Sequence, residues 1–377
     1  MKKILYLITQ DEFGGAQYYL LILAKNLKDS YNITIAAGDQ TTTNGLLNQA
    51  EQAGIKIKQL TKLKRQLNFG QDYQALQELI SLVKTEQPDI IHLNSTKMGV
   101  LGVIAAKLAN SQAKIIFTVH GFILNEPLNL GQKIFYWFAE LISLTLTDQI
   151  ICVSEFDRQS IINAKLCSAS KLITIHNALD LSELKFLSRE EARQELLNNP
   201  TNDQLIIGTV ANFYSTKGLN YFIKALALLK NNLPQKFFAV IIGDGELRPK
   251  LEQQIKKLGL TENILLAGYL PKAWQYLKAF DIYVCSSVKE GLPYSILQAQ
   301  AAGLPIISTN VGGIPEIITD GQNGLLVETK NPTKLAEKIK LLTKNKPWRD
   351  QLGVGVKPTA EKFSQQQLVD QTASLYN

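Results

Sequence analysis

The chain has 377 residues, 45% hydrophobic and 19% charged, with a formal net charge of +7. That length favours two domains over one core, and the apolar content excludes a disordered chain. The basic excess forms no block, which argues against a nucleic-acid binder and fits a mild attraction to phosphorylated ligands or anionic lipid.

Short β-branched runs alternate with helical stretches from the start. MKKILYLITQ resembles a signal peptide only briefly, because Asp11-Glu12 follow, and it reads as a first strand, Lys3–Ile8. Further strands are expected at Ile33–Ala37, Ile90–Leu93, Lys114–Val119, Gln149–Val153 and Leu172–Ile175. A second series is expected at Leu205–Val210, Phe237–Ile242, Ile264–Ala267, Ile282–Cys285 and Pro305–Thr309. Two such series imply two Rossmann-like α/β units with parallel sheets. The domains are read as 1–185 and 205–355, joined by a linker at 186–204 in which LSREEARQEL reads as a connecting helix. Residues 356–377 are expected to form a helix returning to the first domain. No stretch reaches the roughly 18 uncharged apolar residues of a membrane span. IFYWFAELISLTLTDQII is broken by Glu140 and Asp148, and its aromatic run Phe135–Phe138 cannot lie on one helix face, so some or all of it is expected to be core and any remainder a membrane- or acceptor-facing surface. Lys62, Lys64 and Arg65 form the one tight basic cluster, most simply a solvated loop. The three cysteines make no paired framework and fit a reducing cytoplasm.

The segment YVCSSVKEGLPYSILQAQAAGLPIISTNVGGIPEIITDGQNGLL, Tyr283–Leu326, carries the most chemistry. Glu290 stands in a loop before a helix opened by Pro293, where a missing N–H costs nothing. N–H groups at such a helix start can hold a phosphate, and a carboxylate beside them can take sugar hydroxyls. The segment therefore suggests a nucleotide-sugar site. Lys217-Gly218 end a strand–loop–helix passage; the Gly-x-x-x-x-Gly-Lys spacing of a P-loop is absent, but such a lysine can neutralise a departing diphosphate. Gly14-Gly15 open a helix after the first strand, and Gly243-Asp244-Gly245 follow another strand; each serves equally as a tight turn or a close approach to an anion. His120, at a strand end before Gly121, is placed to donate to a sugar hydroxyl or a phosphate oxygen, or to be structural. No Asp-x-Asp and no zinc-like His/Cys spacing occur, so neither a metal nor a cofactor is expected. The missing Gly-x-Gly-x-x-Gly argues against a dinucleotide oxidoreductase.

These residues resemble glycosyltransferase family 4, the retaining GT-B glycosyltransferases. EGLPYSILQAQAAGLPIISTNVGGIPEII carries most of the similarity, with TVANFYSTKG, IIGDGELRPKLEQ, LAGYLP, IIHLNSTKMGVLG, TVHGF and VSEFDR…IHNALD. The resemblance implies two facing Rossmann-like domains with a nucleotide diphosphate-sugar in the cleft. It implies that Glu290 holds sugar hydroxyls and that Gly291, Leu292, Pro293 and Tyr294 line the sugar and diphosphate. It places Gln298 at the ribose, Lys217 at the diphosphate, and Leu270 beside the base. Gly15 would lie by the phosphates, Gly243 at the cleft floor, and His120 at the donor sugar. Two positions depart from the pattern: Gln298 replaces a usual glutamate, and Asn212 a usual arginine. Losing one carboxylate and one guanidinium leaves the local charge unchanged.

The expected function is retaining transfer of a sugar to a hydroxyl acceptor, metal-independent, with Lys217 and helix-start N–H groups stabilising the leaving group. The resemblance to members that extend cell-surface polysaccharides implies a polyprenyl-diphosphate-linked saccharide acceptor and peripheral contact with the inner face of an anionic membrane. The alternatives are a degenerate GT-B subunit that binds saccharide or a partner, motivated by Asn212 and Gln298, and a nucleotide-sugar epimerase of GT-B shape.

Overall fold

The computed structural model describes residues 1–38, 45–197, 204–230, 232–233, 236–354 and 363–377. It divides into two compact units, Met1–Ala178 with Gln365–Asn377, and Leu179–Ser364.

The first unit runs β1 (Lys3–Ile8), α1 (Gly15–Leu27), β2 (Asn32–Gly38), α2 (Leu46–Gln52), β3 (Lys56–Leu60), α3 (Phe69–Glu86), β4 (Ile90–Asn94), α4 (Thr96–Leu108), β5 (Lys114–Val119), α5 (Leu130–Leu146), β6 (Gln149–Cys152), α6 (Glu155–Ala164) and β7 (Leu172–Thr174). The strands form a parallel seven-stranded sheet in the order β3-β2-β1-β4-β5-β6-β7. Right-handed crossovers put α1 and α2 on one face and α3, α4 and α5 on the other. The central strands are buried on both faces, which is why KILYLI and IIHLN read as continuous apolar runs. β3, KIKQL, is an edge strand; its exposed lysines hid it from a search for apolar runs.

The second unit runs α7 (Arg189–Leu196), β8 (Leu205–Val210), α8 (Leu219–Leu229), β9 (Phe237–Ile242), α9 (Arg248–Lys257), β10 (Ile264–Gly268), β11 (Ile282–Cys285), α10 (Tyr294–Ala301), β12 (Ile306–Thr309), α11 (Ile314–Ile317), β13 (Leu325–Val327), α12 (Pro332–Lys344) and α13 (Lys346–Val354). Its parallel sheet has the order β10-β9-β8-β11-β12-β13. Phe222, Ile223 and Leu226 of α8 and Leu335 and Ile339 of α12 bury against β8 and β9.

The connecting helix expected within the linker at 186–204 is present as α7, and it is docked. Ser188 caps α7 through a capping box with Glu191. Buried Arg193 then donates through Nη2 to Asp281 Oδ2 at 2.7 Å and through Nε to the Ala279 carbonyl at 3.0 Å. Arg189 pairs with the same carboxylate. Removing Asp281 would strand a buried guanidinium, so α7 is fastened to the second unit. Residues 198–203 of the expected linker and 355–362, where the returning helix was expected to start, lie outside the described residues.

The last helix, α14 (Gln365–Ser374), belongs to the first unit. Leu368, Val369 and Tyr376 are buried there, and each buried aliphatic side chain contributes about 1.5–3 kcal/mol. α14 packs on α1, which explains why GAQYYLLILAKNL is apolar nearly all round.

Candidate active site

In the second unit the strand order reverses between β8 and β11, because β8 connects to β9 on one side and β11 to β12 on the other. Loops leaving adjacent strands at such a point part and leave a crevice beyond their carboxyl ends. Lys217 lies after β8 and Glu290 after β11. The loops are stitched together: the Val288 N–H donates to the Thr216 carbonyl at 2.8 Å, and the Ser286 hydroxyl to the Lys217 carbonyl at 3.0 Å. Lys217 Nζ consequently reaches both Glu290 oxygens, at 2.8 and 3.0 Å.

The carboxylate is the more enclosed partner, 8% exposed against 27% for the ammonium. The Ser287 hydroxyl donates to Glu290 Oε1 at 2.6 Å. Thr309 on β12 fixes Ser287 in turn, donating to its carbonyl at 2.6 Å. Burial by itself lowers the Lys217 ammonium, but the charge and hydrogen bonds of Glu290 outweigh it and the pKa is raised. Lys217 thus keeps its proton at neutral pH.

The Gly312-Gly313 loop closes on this turn from β12. Gly312 has φ +58, and a Cβ there would stand 1.9 Å from the Glu290 carbonyl oxygen, so only glycine allows the approach. The Gly313 N–H donates to the Gly291 carbonyl at 2.8 Å. Pro293 is the N-cap of α10, one position outside the helix rather than within its first turn. The positive end of α10 therefore begins three to four residues beyond Glu290. Gly243, φ +141, passes close to the Ala211 carbonyl, and the Phe213 N–H donates to the Asp244 carbonyl at 2.8 Å, which binds the loop after β9 to the loop bearing Asn212.

In the first unit the order reverses between β1 and β4. Gly14 caps α1 beyond β1, and Gly15 is the first helical residue. His120 follows β5, half-buried, with Nε2 2.8 Å from Asn94 Oδ1. The Tyr19 ring packs edge-on to His120 at 5.0 Å. Behind them lies a buried polar chain. His92 Nε2 meets Thr118 Oγ1 at 2.7 Å and His92 Nδ1 meets the Tyr376 hydroxyl at 2.7 Å; the latter meets Tyr6 at 2.9 Å. Burial and the neighbouring His120 press the His92 pKa down to about 3, and burial lowers that of His120. Both imidazoles are neutral near pH 7. Burial pushes the Tyr19 hydroxyl up to about 12.

Two family models match the chain: glycosyltransferase family 4 over residues 13–183, and glycosyl transferases group 1 over residues 188–357. The UDP-Gal:alpha-D-GlcNAc-diphosphoundecaprenol alpha-1,3-galactosyltransferase of Escherichia coli is 31% identical over 267 residues, 70% of this chain and 68% of that relative. The chain belongs to the glycosyl transferases group 1 family. The capsular polysaccharide biosynthesis glycosyltransferase CapM of Staphylococcus aureus is 25% identical and covers 87% of each chain. Among solved structures, Anabaena Alr3699/HepE in complex with UDP and glucose superposes with a TM-score of 0.85 at 21% identity, covering 100% of this chain and 99% of that one. Sucrose-phosphate synthase from Thermosynechococcus elongatus also gives 0.85, at 17% identity, covering 100% and 98%. These likenesses establish the GT-B type of the fold.

In this group 1 glycosyltransferase the second unit gathers most of the residues singled out from sequence. Lys217, Glu290, Gly291, Leu292 and Pro293 adjoin one another, and buried Tyr294 opens α10. Gln298 is half-buried on α10, and neither it nor Asn212 makes a side-chain hydrogen bond among the described residues. Leu270 follows β10, next to exposed Tyr269. Gly15 and His120 belong to the first unit. The aromatic run lies mostly outside the core: Phe135, Trp137 and Phe138 are 44%, 38% and 56% exposed on α5, and Tyr136 is half-buried. Ser287, Thr309, Asn94 and Tyr19 escaped the reading of the sequence. A serine three residues before Glu290 was the one local signal; the others are distant in sequence from what they touch. Among the described residues no helix is long and apolar enough to cross a membrane.

Proposed function

We propose that this glycosyltransferase moves a hexose from a nucleotide diphosphate-sugar to a hydroxyl of a lipid-linked saccharide, with retention of configuration and without a catalytic metal. The Lys217–Glu290 pair at the mouth of α10 is the observation that carries the reading. An incoming diphosphate competes for Lys217 and draws on the positive end of α10, which frees Glu290 oxygens for sugar hydroxyls. His120 meets the donor sugar, Gln298 the ribose and Leu270 the base. Gly15 and Gly243 allow close backbone approach, and Asn212 stands beside the diphosphate. The departing phosphate helps take the acceptor proton. No further cofactor takes part. The sugar-nucleotide and diphosphoundecaprenol in the E. coli relative's name, and the UDP bound by the Anabaena neighbour, support these substrate classes.

The first unit supports a lipid-linked acceptor and peripheral contact with an anionic membrane. α3 and α5 lie on the same face of the sheet, and both begin at its carboxyl edge. Exposed Leu67 lies just before α3, Phe69 and Tyr73 in its first turns, and Leu130, Ile134 and Phe138 along the first half of α5. Lys62, Lys64 and Arg65 are exposed in the loop between β3 and α3. That loop is held rather than loose: Lys97 donates to the carbonyls of Lys64 and Gln66 at 2.6 and 2.8 Å. Apolar side chains beside basic ones suit a bilayer interface.

The test is transfer from a panel of nucleotide diphosphate-sugars, beginning with UDP-glucose and UDP-galactose, to a diphosphate-linked saccharide acceptor. Each donor is first scored by thermal shift. Glu290→Ala is expected to abolish transfer while the fold persists; unchanged turnover removes Glu290 from the mechanism. Flotation with anionic but not neutral vesicles is expected, and equal behaviour on both defeats the membrane contact.

A further inference from the structure

We propose that Asn94 holds His120 in the Nε2-protonated tautomer, leaving Nδ1 as a lone-pair acceptor that takes the hydrogen of a substrate hydroxyl. This rests on the reading above, in which His120 meets the donor sugar. It differs from donation to a phosphate oxygen.

Asn94 is the last residue of β4 and is fully buried. Its backbone is gripped on both sides, in register with Ile8 of β1 and Thr118 of β5. The amide orientation follows from one contact. Asn94 Nδ2 donates to the His92 carbonyl at 3.3 Å, and a carbonyl oxygen only accepts. Turning the amide over would set two acceptors against each other. Asn94 Oδ1 therefore faces His120 Nε2 at 2.8 Å, and that nitrogen must carry the hydrogen. Burial keeps the ring neutral, so there is one N–H and it is spent on Asn94.

Nδ1 is then unprotonated, and His120 has no other hydrogen-bond partner among the described residues. Tyr19 packs against the ring at 80° and fixes its plane, and the Tyr19 hydroxyl is 3.3 Å from Thr118 Oγ1. A lone pair cannot serve an ionised diphosphate, whose oxygens also only accept. It can serve O–H, which a sugar carries and a diphosphate diester does not. Asn94 is thus a positioning residue, and His120 reads a hydroxyl.

Two measurements on the full chain test this. Histidine labelled with 15N gives long-range 1H–15N spectra in which protonated and bare ring nitrogens are distinct. With three histidines in the chain, His120→Gln assigns the signal. The wild type at pH 7 is expected to show Nε2–H and bare Nδ1. Asn94→Ala is expected to give a mixture of tautomers. An Nδ1–H or doubly protonated wild-type ring overturns the proposal even if Asn94→Ala fails to fold. The second measurement compares donor analogues lacking one hydroxyl each. One of them is expected to lose about 3- to 10-fold in kcat/KM with the wild type, and nothing further with His120→Ala. If the tautomer is as expected but no hydroxyl shows this dependence, the assignment of His120 to the donor sugar is what fails.

Discussion

Substituting Glu290→Gln and Lys217→Met, singly and together, measures how strongly the two loops at the β8–β11 switch point depend on their ion pair. Exposed pairs couple by about 0.2–1 kcal/mol, whereas breaking a buried pair by removing one partner costs about 3–5 kcal/mol. Here the carboxylate is 8% exposed and the ammonium 27%, with contacts of 2.8 and 3.0 Å, so the coupling falls between those limits. A value of about 2 kcal/mol follows, or about 4–8 °C in the melting of the second unit. The two single variants should differ. Lys217→Met leaves the enclosed carboxylate with Ser287 alone, while Glu290→Gln leaves a lysine that can turn to water; the first is expected to cost more. Unfolding is followed by calorimetry, in which the transitions of two units can be separated. Single-variant effects that add to within about 0.5 kcal/mol of the double variant refute the reasoning. The pH dependence supplies a second check. Folded Lys217 holds its proton more tightly than the unfolded side chain, whose pKa is near 10.5. Above that pH the folded state binds more protons, so the advantage of wild type over Lys217→Met is constant below pH 10.5 and shrinks above it.

His92 predicts a pH effect of the opposite kind in the first unit. Its folded pKa is about 3 against 6.5 in the unfolded chain, so between those values the unfolded state binds the extra proton and stability is lost as the pH falls. Wild type should lose about 1.4 kcal/mol per pH unit more than His92→Gln below pH 6.5, and parallel denaturation profiles would contradict this. Tyr376→Phe removes a hydrogen bond from both His92 and Tyr6, and should cost about 1–3 kcal/mol in urea unfolding. Restoring the family pattern with Gln298→Glu and Asn212→Arg together keeps the local charge and should tighten donor binding about 5- to 10-fold by calorimetric titration, because both added bonds are charge-assisted. No change would mean that the two departures do not weaken this site.

The sequence by itself determined the two α/β series, because strands buried on both faces leave continuous apolar runs and helices between them leave a different period. Lys3–Ile8, Lys114–Val119, Leu205–Val210 and Phe237–Ile242 are strands with the bounds read from sequence. β3 and β13 were invisible for the same reason inverted: one is a half-exposed edge, the other three residues long. Glu290, Lys217 and the start of α10 were legible because turn and helix-start chemistry is local. What the loops do to one another was not. Lys217 lies 73 residues from Glu290, Asn94 lies 26 from His120, and His92 lies 284 from Tyr376. Strand order brings the first two pairs together, and the packing of α14 on the first unit brings the third. Only the tertiary structure decided that Glu290 is held by Lys217 and Ser287, and that Asn94 governs which nitrogen of His120 is bare. The docking of α7 by Asp281 was settled in the same way. Hydrogen bonds act over about 3 Å, and at that range sequence separation carries no information.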